Sequence, residues 1–278
     1  YEKMNTLPTA EVGKVLLKCS YAEEEANVEG GFAGVFGHII AKTYFERYGD
    51  QLDALAAIAA KNHANGAHNP YAHLQKDLGF EFCRQESEKN PYVAGKLKRT
   101  DCSMVSDGVA ALVISNRHYT PNHANRVDFL SVAHVNDYLP LSKRDPIAFE
   151  GAKLAWQQAL SAAGLRIGDL SFVETHDCFT IAELIEYEAM GLAEPGQGAR
   201  VILDGVSRKD GALPINPSGG LKSKGHPIGA TGVSMHVMAA MQLTGQAGDM
   251  QLPHADMAGV FNMGGAAVAN YVSLLGCN

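Results

Sequence analysis

The sequence lacks the features that mark exported or membrane-spanning proteins. No stretch reaches the roughly 20 uncharged apolar residues of a membrane helix, and the N-terminus has no basic region followed by an apolar run. Its five cysteines form an odd, scattered set without Cys-x-x-Cys pairs, so neither a disulfide framework nor a zinc site is indicated. We therefore expect a cytoplasmic protein with free thiols, no metal and no membrane association.

Basic residues are also in the minority. Lys and Arg number 23 against 30 Asp and Glu, and the formal net charge of −7 argues against a nucleic-acid-binding surface. Hydrophobic residues, in contrast, make up 46% of the 278 positions, which is ample for a packed core. Small molecules are therefore the expected ligands.

The hydrophobic pattern changes along the chain. Residues 1–100 are mainly helical in pattern and interrupted by turn signals, which favours a loop or capping subdomain. Further on, the short apolar runs 109–114, 127–132 and 170–174 are typical of strands, the first of a strand buried on both faces. Because helical patterns separate these runs, the sequence predicts a layered α/β fold.

Two of the later helices carry start or stop signals. One begins at Asp145-Pro146, where the proline presets the first φ angle, and ends at Gly164. Another opens with Thr180 and has Glu183 three residues later, the spacing of a capping box. The second helix follows a predicted strand directly.

The most specific chemical signal is the segment 216–232, which reads NPSGGLKSKGHPIGATG. Its glycines and prolines fix His226 on a rigid loop directly before a helix of small residues. An isolated Gly-His-Pro is more often a loop histidine that only packs. The extended string favours a functional imidazole instead.

Three further segments accompany it. Residues 176–179 read His-Asp-Cys-Phe at the predicted strand-to-helix junction, residues 261–266 read Phe-Asn-Met-Gly-Gly-Ala, and residues 103–108 read Ser-Met-Val-Ser-Asp-Gly. Taken alone, Cys178 would be a small buried hydrophobe, as most free cysteines are. Its place beside a second histidine motif favours a chemical role.

Together these segments resemble the thiolase family, and most closely its sterol-carrier-protein type, over essentially the whole chain. The resemblance implies a layered αβαβα fold with an incomplete N-terminal half. It assigns residues 1–100 to a loop or capping subdomain, 101–116 to the last strand of the N-terminal half, and 117–278 to the C-terminal thiolase half.

The resemblance also implies catalytic roles. The histidine matching His226 helps to deprotonate the nucleophilic cysteine and hydrogen-bonds the thioester oxygen, tasks that suit imidazole. His176 would replace an asparagine that positions a water in the oxyanion hole, and Cys178 would exchange the proton of the α-carbon. Asn262 stands where most thiolases have the acid/base cysteine, which makes Cys178 the natural substitute. Gly264 matches a glycine whose N–H contributes to the second oxyanion hole.

Ser103 and Phe36 match positions that contact or line the path of the pantetheine arm of coenzyme A, although Phe36 is equally consistent with a core aromatic. Coenzyme A thioesters, acetyl-CoA and acyl-CoA, are then substrates rather than permanently bound cofactors.

The family also requires a nucleophilic cysteine, which would precede Tyr1. None of the present cysteines lies in a matching motif. We therefore expect an N-terminal thiolase segment or companion chain to complete the enzyme, in a homodimer or larger oligomer. The isolated chain is expected to be inactive in acyl transfer, because the covalent intermediate has no attachment point.

The leading hypothesis is an acyl-CoA acyltransferase of lipid and fatty acid metabolism, which performs Claisen condensation to, or thiolytic cleavage of, a 3-oxoacyl-CoA. Two alternatives stay open. One is a thiolase-like aldolase that acts on coenzyme A esters with a partner protein. The other is a non-catalytic acyl-CoA-binding subunit.

Overall fold

A mixed β-sheet forms the centre of the computed structural model, which describes residues 1–119 and 125–277. The strands are β1 (Tyr92–Ala94), β2 (Leu97–Lys98), β3 (Asp128–Asn136), β4 (Phe172–Glu174), β5 (Met257–Gly264) and β6 (Ala269–Gly276). β1 and β2 form a small antiparallel pair, whereas the central sheet has the order β3-β6-β5-β4. In that sheet β4 runs parallel to β5, and the other neighbours are antiparallel.

Helices make up most of the first hundred residues, whereas two later helices pack on the central sheet. The α-helices are α1 (Thr9–Leu16), α2 (Ala22–Glu25), α3 (Gly31–Gly34), α4 (Lys42–Tyr48), α5 (Leu52–Gly66), α6 (Phe80–Arg84), α7 (Glu150–Ala163), α8 (Thr180–Ala189), α9 (Gly198–Leu203), α10 (Gly220–Lys224) and α11 (Ile228–Leu243). A π-helix, Val35–Ala41, joins α3 to α4. Among the helices of the described ranges, none is both long and apolar enough to cross a bilayer.

Single 3-10 turns connect several of these elements. They lie at Leu17–Cys19, Arg99–Asp101, Arg117–Tyr119, Leu141–Lys143, Ile167–Asp169 and Gly248–Met250.

Strand β5 contacts a different helix on each of its two faces, because successive side chains of a strand point to opposite sides. Gly259 packs so closely on Trp156 of α7 that a Cβ would lie 2.7 Å from the indole. Phe261, on the same face, has its ring centroid 6.3 Å from that of Trp156. On the other face, a Cβ added to Gly232 of α11 would lie 3.0 Å from the amide nitrogen of Asn262. The sheet is therefore enclosed between α7 and α11.

The helix predicted from Asp145-Pro146 to Gly164 is confirmed with a later start. α7 begins at Glu150, because Phe149 adopts a left-handed conformation (φ 44°) that a helix cannot include. Gly164 ends it with φ 66°, the left-handed cap that glycine favours.

The capping box predicted for Thr180 and Glu183 is wrong. The Thr180 hydroxyl donates instead to Asp101 Oδ1 at 2.9 Å. Glu183 is turned into the core, where Lys61 Nζ approaches one of its oxygens to 2.5 Å. Long-range partners thus replace the local hydrogen bonds on which a capping box depends.

Residues 109–114, predicted as a buried strand, form no ladder with the described residues 1–119 and 125–277. Val113 is 99% exposed and Ile114 75%. An apolar run becomes a strand only where a neighbouring strand receives its hydrogen bonds. The division into 1–100, 101–116 and 117–278 stays a prediction.

Candidate active site

His226 is fixed by its backbone and its ring. It follows Gly225, whose φ of 110° suits only glycine, and its N–H donates to Ser106 Oγ at 3.1 Å. Its Nδ1 lies 2.7 Å from Thr231 Oγ1, and the Thr231 hydroxyl donates to the Pro227 carbonyl at 3.0 Å. Since that hydroxyl has a single proton, Nδ1 must carry the ring hydrogen. Nε2 therefore keeps a free lone pair.

His176 has the same tautomer for a different reason. It follows β4, and its Nδ1 lies 2.7 Å from Asn262 Oδ1 on β5. An amide oxygen only accepts hydrogen bonds, so Nδ1 is the donor and Nε2 is the acceptor. Asn262, predicted only as the residue that replaces the usual acid/base, is in fact the group that orients this imidazole.

The two imidazoles are in edge-to-face contact. Their ring centroids are 5.0 Å apart and their planes cross at 87°. His176 lies in the loop after β4, and His226 lies in the glycine-rich loop before α11, residues 216–227. About fifty residues of sequence separate the two histidines, and the fold brings them into contact.

Both imidazoles are neutral at neutral pH. Burial lowers the pKa of His176 to about 4. The pKa of His226 is well below its usual range, first because of burial and then because a proton on the ring would be repelled by a proton on His176 and by Lys224. Each ring can therefore accept a proton, and neither is a resident cation.

Cys178 lies two residues after His176, at the entry to α8, and is 3% exposed. Its carbonyl accepts a hydrogen bond from the Ser103 N–H at 2.8 Å. Burial, followed by the nearby carboxyls of Glu186 and Asp177, raises the pKa of the thiol well above its usual value. The group is consequently a neutral thiol, suited to donate a proton.

The other predicted site residues lie around this centre. Ser103 is bonded to the Cys178 backbone, and Gly264 belongs to the same face of β5 as Asn262, two residues away. Phe36 is fully buried and stacks on Phe179, with centroids 4.4 Å apart. The contacts predicted for Ser103 and Phe36 with pantetheine stay predictions. In residues 1–119 and 125–277 there is no group of three or more His, Cys, Asp or Glu arranged to hold a metal ion.

Sequence reasoning missed two residues that act on the histidines. Thr231 belongs to the glycine-rich string, and its position five residues after His226 gives no local signal of the contact. Lys224, also in the string, is buried and donates to Ser234 Oγ at 2.7 Å. Burial lowers the pKa of this lysine.

Comparison with known proteins identifies the family of the chain. The family model described as "Thiolase C-terminal domain-like" matches residues 133–277. The chain belongs to the thiolase family.

The relatives include both acetyltransferases and sterol carrier proteins. An acetyl-CoA acetyltransferase of Methanothermobacter thermautotrophicus is 33% identical over 82% of this chain and 59% of its own length. Sterol carrier protein 2 of Bos taurus is 36% identical over 84% of this chain and 44% of its own length. The chain thus spans about half the length of the curated relatives it matches.

Solved structures share the α/β thiolase-like fold. The Ltp2-ChsH2(DUF35) aldolase superposes on 99% of this chain and 69% of its own with a TM-score of 0.78 at 21% identity. The Bacillus anthracis acetyl-CoA acetyltransferase covers 85% of this chain and 59% of its own with a TM-score of 0.63 at 15% identity.

Proposed function

We propose that the protein forms the enolate of a coenzyme A thioester and makes or breaks a carbon–carbon bond at the α-carbon, as an acyl-CoA acyltransferase. The observation that carries the proposal is the edge-to-face contact between the neutral imidazoles of His176 and His226. Removal of an α-proton requires polar groups already oriented around the developing oxyanion in a site of low dielectric. A buried ring, His176, and a half-buried ring, His226, each with a fixed tautomer, meet that requirement.

The tautomers assign the two rings complementary tasks. His226 acts as a base through Nε2, because its Nδ1 already carries a proton. After Nε2 has taken up a proton, the imidazolium donates it as a hydrogen bond to the thioester oxygen. His176 Nε2 accepts a hydrogen bond from a water that in turn donates to the same oxygen.

Cys178 donates a proton to the α-carbon or removes one from it, depending on the direction of the reaction. In the cleavage direction the neutral thiol protonates the departing enolate, and the thiolate left behind recovers a proton from the imidazolium of His226. The raised pKa of the thiol suits this reaction, because it favours return to the neutral form. In the synthetic direction the thiol first gives its proton to an imidazole Nε2, and the resulting thiolate removes the α-proton. The backbone N–H of Gly264 is assigned to the second oxyanion hole, beside the acyl group of the partner thioester.

Isotope exchange at the α-carbon tests the enolate step without an acyl-enzyme. Acetyl-CoA is incubated with the protein in D2O, and deuterium in its methyl group is followed by mass spectrometry. We expect incorporation well above that in buffer alone. Incorporation no faster than in buffer would refute the assignment.

Aldol cleavage of a coenzyme A ester with a partner protein is the second candidate. It releases the same thioester enolate but needs no cysteine nucleophile, so the groups around His176 and His226 would serve it equally. The consumption of free coenzyme A distinguishes the two reactions. Thiolysis consumes one molecule of coenzyme A for each carbon–carbon bond broken, whereas aldol cleavage consumes none. A non-catalytic subunit would bind acyl-CoA and catalyse no isotope exchange.

We further propose that an N-terminal thiolase segment or companion chain covers the apolar groove between residues 112–115 and β3. This groove has a volume of about 520 Å³, and Leu112, Val113, Ile114 and Phe129 line it. Exposed apolar surface of this kind is typical of an interface. Backbone amides of 109–114 should become protected from hydrogen exchange when the segment is added. Unchanged exchange would refute the docking site.

A further inference from the structure

The last turns of α5 place two polar side chains, Lys61 and Asn62, in the buried region next to the two histidine loops. Asn62 is fully buried, and its Nδ2 donates to Asp177 Oδ2 at 2.8 Å and to Glu183 Oε2 at 2.6 Å. A single amide thus uses both of its hydrogens on two buried carboxyls. The amide oxygen of Asn62 accepts no hydrogen bond from the described residues, so the amide serves this space as a donor to both carboxyls.

Asp177 connects this amide to the glycine-rich loop. Its Oδ1 accepts the Leu221 N–H at 2.6 Å, and its Oδ2 accepts the Lys222 N–H at 3.3 Å. A Cβ at Gly220 would lie 2.4 Å from the Asp177 carboxyl, so only glycine lets the loop approach this closely. Because Asp177 follows His176 directly, one carboxyl holds the His176 loop against α10, the helix that ends just before His226.

Glu183 makes the second connection. It accepts hydrogen bonds from Lys61 Nζ at 2.5 Å and from Asn216 Nδ2 at 3.1 Å. Asn216 Oδ1 accepts the Thr175 N–H at 2.8 Å, next to His176. The start of the glycine-rich loop and the end of β4 are therefore fixed to the same helix of the capping region.

The charges in this network are unequal. Asp177 and Glu183 are both fully buried, whereas the ammonium of Lys61 forms its ion pair with Glu183 and also donates to the Ile215 carbonyl at 2.8 Å. Burial, and then the charge of Glu183, raises the pKa of Asp177 to about 7. The Asn62 amide is the shared donor that allows two carboxyls to lie close together, and its loss would leave them to repel each other.

We propose that Asn62 and Asp177 form a positioning pair, which sets the contact between His176 and His226 and links it to α5 of the capping region. The inference rests on the proposed enolate chemistry. It adds residues that neither contact the substrate nor transfer a proton, and that act only through the position of the two histidines. Six donors converge on the carboxyls of Asp177 and Glu183: Lys61 Nζ, Asn62 Nδ2, the Tyr187 hydroxyl, Asn216 Nδ2, and the N–H groups of Leu221 and Lys222.

The test compares Asn62→Ala with Asn90→Ala. Asn90 is equally buried in the capping region, but its hydrogen bonds go to Phe82 and Thr100 rather than to the histidine loops. We expect Asn62→Ala to lower kcat for α-proton exchange on acetyl-CoA by about 100-fold with KM nearly unchanged, as displacement of a catalytic group by about 1 Å does. Asn90→Ala should lower the Tm by a similar amount and leave kcat within about 2-fold of the wild type.

The second measurement is independent of activity. The imidazole Hε1 resonances of His176 and His226 report the edge-to-face contact through ring-current shifts, and they should move in Asn62→Ala but not in Asn90→Ala. Unchanged resonances and unchanged kcat in Asn62→Ala would overturn the positioning pair while leaving the enolate proposal intact. If the wild type exchanges no protons yet the resonances shift as expected, the pair is supported and the proposed function fails.

Asp177→Asn provides a variant of almost identical shape in case Asn62→Ala does not fold. It keeps an oxygen for the Leu221 N–H but places an amide donor against the Asn62 donor. The same fall in kcat and the same resonance shifts are expected. Wild-type values of both in Asp177→Asn would overturn the proposal.

Discussion

Thr231 determines which nitrogen of His226 carries the proton. Its hydroxyl donates to the Pro227 carbonyl and therefore accepts from His226 Nδ1. Thr231→Val keeps the shape of the side chain but removes that acceptor, so the ring is free to adopt the other tautomer. We expect about a 5-fold loss in α-proton exchange, consistent with a net hydrogen bond of about 1 kcal/mol. Nitrogen-15 NMR of His226 should report mixed tautomers, and Thr231→Ser should restore both properties. A single unchanged tautomer in Thr231→Val would contradict this role.

Replacing His226 by alanine removes the proposed base. Exchange of the acetyl-CoA methyl protons should fall by about 10² to 10⁴, the usual contribution of a general base. His254, which is exposed, provides the matched control, and His254→Ala should exchange at the wild-type rate. Equal rates in the two variants would exclude His226 from the chemistry.

His176 should make the stability of the protein depend on pH. Burial holds its pKa at about 4, below the value of about 6.5 expected in the unfolded chain. A lowered pKa contributes stability that is complete above about pH 6.5 and is lost as the pH falls towards 4, because the unfolded state takes up the proton first. Between about pH 7.5 and 5, the Tm of the wild type should therefore fall more than that of His176→Gln. Buried carboxyls are common to both proteins and cancel in the difference. Parallel curves would contradict the prediction.

Gly259 tests the packing of α7 on the sheet. Its added Cβ would lie 2.7 Å from the indole of Trp156, which is itself almost fully buried. Gly259→Ala should therefore lower the free energy of unfolding by about 1–3 kcal/mol, as overpacking does. Gly168→Ala is the control, since a Cβ there meets nothing within 4 Å. Chemical denaturation measures both, and equal midpoints would argue against the close approach.

Cys178 should be slow to alkylate. Its thiol is buried and its pKa is raised well above the usual value, so few thiolates are available to react. Cys19 is exposed and should be modified by iodoacetamide first. Peptide mass spectrometry at successive times gives the order, and early labelling of Cys178 would contradict the description of its environment.

The sequence indicated the two histidines of the site more clearly than the residues that hold them in position. His226 and His176 lie in segments whose residue order resembles a known family, so their contact was foreseeable. Asn62 and Thr231 gave no such signal, because a polar residue in a helix is identified as a buried partner only when the opposite surface is known.

Two local predictions failed because they depended on distant neighbours. The residues of the predicted capping box, Thr180 and Glu183, found partners in Asp101 and Lys61, far away in the chain. The apolar run 109–114 has the composition of a strand, but strand formation depends on a neighbour rather than on the run itself.

Helix α11 contributes the hydrogen-bond partner of one imidazole and packs against the hydrogen-bond partner of the other. Its Thr231 binds the His226 ring, and its Gly232 lies against the Asn262 amide that orients His176. A small slide of this one helix along the sheet would disturb both proton acceptors at once. The basicities of the two rings are thus mechanically linked, and a substitution that shifts the helix should change them together.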